Sequence, residues 1–148
     1  MELDKEKLKN FDKLPADVRR QFSLLMNRYA EKKKQSKVKE NFMAFVKHVW
    51  PDFIEGRHHK EVAEKFNEIA NGKTKRVIIN MAPRHTKSEF ASYLLPAWMV
   101  GRNPKLKIIQ STNTTELSVR FGRKAKALMD SPEYKEVFQT RLKEDSQA

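Results

Sequence analysis

The sequence predicts an α/β fold, a parallel sheet preceded by a helical N-terminal region. Three observations predict it. Up to Gly72 the apolar residues recur at spacings of three and four; a β-branched run, Lys75-Arg76-Val77-Ile78-Ile79-Asn80-Met81, follows; and a second apolar run, Lys105 to Gln110, completes a strand, loop, helix, strand order. A length of 148 residues suits one compact domain able to bury a core.

Pro15 fits the first turn of a helix, and Val18, Phe22, Leu25 and Tyr29 then share one face. The other side carries Arg19, Arg20 and Arg28 and leads into Lys32-Lys33-Lys34, with Lys37 and Lys39 beyond an expected break near Gln35-Ser36. This basic run has two readings, a surface that touches DNA or a solvated helix face. A second helix places Phe42, Phe45, Val46 and Val49 together and ends before Pro51, because the residue ahead of a proline is disfavoured in helix. After the turn from Pro51 to Gly56, Val62, Ala63, Phe66 and Ile69 trace a third helix that stops at Asn71-Gly72.

The run from Lys75 to Met81 then reads as a strand buried on both faces, as in parallel sheets. Lys87 to Met99 is helix-like, with Pro96 expected to end or kink it near Leu95. The turn signal Gly101-Arg102-Asn103-Pro104 introduces the second strand, with Leu106, Ile108 and Ile109. That order is a βαβ unit, for which a right-handed crossover and a ligand beyond the carboxyl ends of the strands are expected. A last helix, Thr115 to Met129, turns Leu117, Phe121, Ala125 and Leu128 inward and Arg120, Arg123, Lys124 and Lys126 outward.

A composition of 39% hydrophobic and 34% charged residues, with four Gly and six Pro, argues against a low-complexity chain. Thirty-one Lys and Arg against nineteen Asp and Glu give a net charge of +12, which points to a polyanion such as nucleic acid or to a solvated basic surface. The absence of cysteine excludes disulfides and thiolate metal sites and fits a reducing compartment. Met1-Glu2-Leu3-Asp4-Lys5 lacks the apolar core of a signal peptide, and no run is long enough to span a membrane, so a soluble intracellular chain is expected.

The segment between the two runs carries the chemistry. Backbone N–H groups at a helix start, the helix dipole and a lysine together neutralise a polyphosphate, and the Ser or Thr after that lysine holds Mg²⁺. Lys87 and Ser88 occupy those two positions. The pattern G-x-x-x-x-G-K-[ST] would put glycines at Met81 and Thr86, and neither is one. Thr86 must therefore either reach a positive φ, which β-branched residues resist, or shift the loop. Arg84 supplies a fork of donors suited to phosphate oxygens, and His85 adds another donor. The competing reading is a surface turn whose basic groups are merely solvated.

Asn80-Met81-Ala82-Pro83-Arg84-His85-Thr86-Lys87-Ser88-Glu89 resembles the variant Walker A loop, P-P-R-H-G-K-S-E, of the large terminase subunit of tailed bacteriophages. Further blocks resemble that family in order: Leu95-Pro96-Ala97-Trp98, Gly101-Arg102-Asn103-Pro104, Gln110-Ser111-Thr112, Arg120-Phe121-Gly122-Arg123 and Ser131-Pro132-Glu133-Tyr134. Upstream, Phe42 to Trp50-Pro51 and the pair His58-His59 are similar to the segment that helps to hold the adenine. The resemblance covers about residues 40 to 148.

The resemblance implies a P-loop NTPase-type parallel sheet, present here in part. Residues 1–40 become a basic helical segment, and residues 41–148 the N-terminal part of the ATPase domain, ending before the Walker B carboxylate and the nuclease domain. The implied protein is a viral genome-packaging hydrolase that couples ATP hydrolysis to translocation of double-stranded DNA into a procapsid. It implies ATP and Mg²⁺ as cofactors, DNA, the portal protein and the small terminase subunit as partners, a homo-oligomeric ring, and the host cytoplasm as the place of work. Pro83, Arg84, His85, Thr86, Lys87, Ser88 and Glu89 would bind nucleotide, with Lys87 on the β and γ phosphates, Arg84 on the γ-phosphate and Ser88 on the metal. Arg84 and Lys87 are the implied catalytic pair. His58 and His59 are either adenine contacts or a polar helix start.

Hydrolysis also needs a carboxylate on Mg²⁺ and one to orient water. After Ser88 no apolar strand ends in Asp or Glu, so this chain alone is expected to bind nucleotide weakly without motor-like turnover. Two other functions remain open: a basic DNA-binding or assembly module with a vestigial loop, and a helicase-like P-loop ATPase.

Overall fold

A computed structural model describes residues 15–140, and among them the chain is helical, with no strand. The helices are α1 (Ala16–Glu40), α2 (Phe42–Val49), α3 (Arg57–Ala70), α4 (Lys87–Glu89), a π-helical turn (Phe90–Leu94), α5 (Leu95–Arg102), α6 (Thr115–Asp130) and α7 (Pro132–Val137). The chain divides into two compact units, one up to Ser36 and one from Lys37 onward.

The first unit holds most of α1, which runs through Gln35-Ser36 without the expected break. Neither residue forbids helix, and a polar dipeptide without Gly or Pro is no reliable stop. Of the apolar stripe read from the sequence, Val18, Leu25 and Tyr29 are exposed and Phe22 is half-buried.

The core lies in the second unit. Asn41 starts α2 by accepting the Ala44 N–H on its side-chain oxygen at 2.9 Å, one of the amides that a helix start leaves unpaired. Phe42, wholly buried, lies 5.2 Å from the ring of Phe66 on α3, 5.4 Å from Phe90 and 5.5 Å from Trp98, all edge-on. Its N–H donates to Asn67 Oδ1 at 2.8 Å, fixing α3 against α2. Trp98 donates its ring N–H to Val38 O at 3.2 Å, and Tyr134 on α7 donates its hydroxyl to Ala97 O at 2.8 Å. Burial pushes the Tyr134 hydroxyl up to about 12, so it stays a donor. Gly101 admits α7: a Cβ there would lie 2.6 Å from Phe138 Cγ and 2.7 Å from Tyr134 Oη. Asn71 caps α3, and Gly72 takes a φ of +72° just beyond it.

The parallel sheet is the principal correction. Residues 75–81 and 105–110 carry no regular secondary structure, and among the described residues no backbone hydrogen bond joins them. Ile78 is 88% exposed and Ile109 96%, whereas a strand of a parallel sheet is covered on both faces. A short apolar run records a tendency to be buried, but a strand exists only with a partner supplied from elsewhere in the chain. The βαβ unit is therefore absent, and with it the crossover and the ligand position it implied.

Pro96 does not end the helical run; it lies in the first turn of α5, and the irregularity expected near Leu95 is a π-helical turn just before it. Lys87 to Arg102 is one continuous helical stretch, widened at Phe90–Leu94 so that the Leu95 N–H bonds Phe90 O. Proline has no N–H and crowds the carbonyl four residues back; a π-turn relieves both by opening the ladder there. Phe90 and Leu94, each 1% exposed, anchor this turn in the core just after Lys87-Ser88-Glu89.

Candidate functional site

The loop Ala82 to Thr86 leads directly into the helical stretch at Lys87. Phe90 N–H bonds Thr86 O at 2.9 Å, which makes Thr86 the N-cap and leaves the first-turn amides without intrahelical acceptors. Two non-glycine residues of this loop have left-handed backbones, Arg84 at φ +65° and Thr86 at φ +55°. Thr86 thus takes the first of the two options open to it, a positive φ at the position where the glycine pattern expects one. Such a backbone costs an L-residue about 1–2 kcal/mol, and strain of this kind gathers at ligand-binding turns.

Lys87 is half-buried and folds back across the loop, donating from Nζ to Met81 O at 3.1 Å. Pro83, Arg84, His85 and Ser88 are exposed, and His85 Nδ1 lies 2.9 Å from Pro83 O. Glu89, the one acid in this turn, is held by Lys124 of α6, whose Nζ lies 2.9 Å from both carboxylate oxygens. Lys124 also lies 5.2 Å from the Tyr93 ring centroid. Burial first, then the charge of Glu89 and a hydrogen bond to it, raise the Tyr93 hydroxyl to about 12. The carboxylate that would repel a phosphate is thereby neutralised on the spot. Lys124, read from the sequence as outward-facing, is half-buried in this pair.

His58 and His59 stand at the N-terminus of α3, and the structure brings both to the loop. His59 is 8% exposed, packed 4.8 Å from the Phe53 ring and 5.3 Å from that of Phe90. Its Nδ1 accepts the Gly56 N–H at 2.9 Å, and its Nε2 lies 2.6 Å from Thr86 Oγ1. Burial, followed by the neighbouring His58 and His85, depresses its protonation below the ordinary value of 6.5, against a smaller opposing pull from Glu55. His58 is half-buried, its ring 5.3 Å from that of His85. It also lines an open cavity of about 510 Å³ with Val62, Val77, Ile79 and Met81, running up to the loop.

A basic groove of about 650 Å³ lies along α6, lined by Thr115, Val119, Arg120, Arg123 and Lys124 among others. Among the described residues no three His, Asp or Glu side chains are grouped to hold a metal ion. Ser88 is the one hydroxyl at the place where the loop pattern puts a metal ligand.

The sequence reading reached Arg84, Thr86, Lys87 and Ser88 but missed two features: the His59–Thr86 link and the Glu89–Lys124 pair. Both join residues more than 25 positions apart. A local signal existed only for the other ring nitrogen of His59, since Gly56-x-x-His59 has the spacing of a capping box with histidine in the acceptor role. Comparison with models of known protein families, with curated proteins and with solved structures finds no match to this chain.

Proposed function

We propose that this is a nucleotide-binding protein whose loop from Ala82 to Ser88 takes the phosphates of ATP. More specifically, we propose that it is the ATP-binding part of a viral DNA-packaging motor of the large-terminase kind. The observation that carries the first step is the loop itself: two left-handed residues, Arg84 and Thr86, feeding a helix start at Lys87-Ser88. Arg84 and Lys87 stand on the loop beside the first-turn amides, and the acid of that turn is already paired. Lys87 and Arg84 would hold the phosphates, Ser88 the Mg²⁺, and His58 with Val62 and Met81 the base in the adjoining cavity. Bound Mg-ATP would supply an activated phosphoanhydride; this chain's part is to bind and orient it. The second step is supported by the ordered blocks from Asn80 to Tyr134 and by the net charge of +12, which suits a partner made of phosphates.

Calorimetry with Mg-ATP tests the first step. Lys87→Ala removes a charged donor and is expected to weaken binding roughly ten- to a hundredfold. Equal affinity in wild type and variant would overturn the loop assignment. The basic groove on α6 favours a second reading, a DNA-binding or assembly module whose loop is vestigial. That reading requires DNA affinity that falls steeply with salt and ignores ATP.

A further inference from the structure

Thr86 combines two properties that oppose each other, a β-branched side chain and a left-handed backbone with φ +55° and ψ +9°. Its hydroxyl is held from two sides. Oγ1 donates to the carbonyl of His85 at 2.7 Å, so the hydroxyl proton is committed and His59 Nε2, 2.6 Å away, must be the donor to it. The other ring nitrogen agrees: Nδ1 accepts the Gly56 N–H and carries no proton. His59 is thus the neutral Nε2–H tautomer. His58 Nε2, 3.0 Å from the same nitrogen, is then a second acceptor of that N–H, with its own proton on Nδ1.

His59 is itself pinned in place. The rings of Phe53 and Phe90 flank it, and Gly56 comes close enough that a Cβ there would stand 2.9 Å from His58 Cε1 and 3.4 Å from His59 Nδ1. The titratable groups around it are His58 on α3, His85 on the loop, and Glu55, which is paired with Lys47 and Lys60. We propose that His59 is a positioning residue that holds Thr86 in its left-handed conformation, so that the His59–Thr86 pair does the work of the glycine in the phosphate-loop pattern. Its consequence for nucleotide binding rests on the loop assignment above; its consequence for the backbone of Thr86 does not.

The test is a double-mutant cycle in the full 148-residue chain. With Thr86 present, His59→Ala is expected to weaken Mg-ATP binding about three- to tenfold, the range of one lost hydrogen bond. In a Thr86→Gly background, where the backbone is free to be left-handed, the same substitution should cost nothing further. His59→Gln keeps an N–H donor and similar bulk, and should recover most of the loss with Thr86 present. Equal losses in both backgrounds would show that His59 acts only through packing, and would overturn the proposal. Should no variant bind Mg-ATP, the loop assignment fails while the proposal is still decided by NMR. The ¹⁵N shifts of the His59 ring should report the Nε2–H tautomer, and the φ of Thr86 should leave the left-handed region in His59→Ala but not in His59→Gln. An Nδ1–H tautomer, or a Thr86 still left-handed in His59→Ala, would refute it.

Discussion

Replacing Ile78 and Ile109 by lysine separates the helical fold from the sheet that the sequence suggests. Burying an isoleucine side chain is worth about 1.5–3 kcal/mol. Ile78 is 88% exposed, so about an eighth of that, roughly 0.2–0.4 kcal/mol, is at stake; Ile109 is 96% exposed and stands to lose about 0.1 kcal/mol. Were either residue inside a strand covered on both faces, truncation alone would cost about 2–5 kcal/mol, and the buried charge would add to it. Urea unfolding followed by tryptophan fluorescence measures the difference, with Phe42→Ala, expected to lose about 3–5 kcal/mol, as the core reference. A loss above about 1.5 kcal/mol in Ile78→Lys or Ile109→Lys would refute the unpaired state of these segments.

Gly101→Ala is expected to destabilise by about 1–3 kcal/mol in the same assay, because its Cβ would meet the buried Phe138 ring and the Tyr134 hydroxyl; an unchanged midpoint would mean that α7 docks differently. Lys124→Met leaves Glu89 uncompensated in the turn that receives the phosphates, so Mg-ATP affinity should fall severalfold, and Glu89→Gln in the same chain should restore much of it. His59 has its protonation depressed in the fold, so the unfolded chain takes up its proton first as the pH falls. Its contribution to stability is full above about 6.5 and declines as the pH drops below that value, a slope that His59→Gln should reduce in pH-dependent urea titrations.

The helices α2 and α3 were legible because periodicity and punctuation agree: Phe42, Phe45, Val46 before Pro51, and Ala63, Phe66, Ile69 before Asn71-Gly72. α7 was not, since six residues are too few for a period, although Ser131 ahead of Pro132 caps it through its hydroxyl at 3.3 Å from the Tyr134 N–H. Val77-Ile78-Ile79 misled because residue preference reports a wish for burial and cannot name the partner that would provide it. In the loop, Lys87 and Ser88 stood at readable spacing. The conformation of Thr86 was posed by the sequence as a choice, and what decides it lies on another helix, at His59.

The wide turn at Phe90–Leu94 holds one residue more than an α-helical turn, so the ends of this helix stand about 100° away from the register of an unbroken α-helix of equal length. Thr86 meets His59 and Glu89 meets Lys124 while Ala97 and Trp98 face the core because of that offset. Straightening the helix at constant length would swing the loop away from both partners. Removing one residue between Ala91 and Tyr93 would leave both ends facing as they do. The aim of the loop is set by a count of residues along the helix, and it should tolerate one deletion there better than the regularising of a single turn.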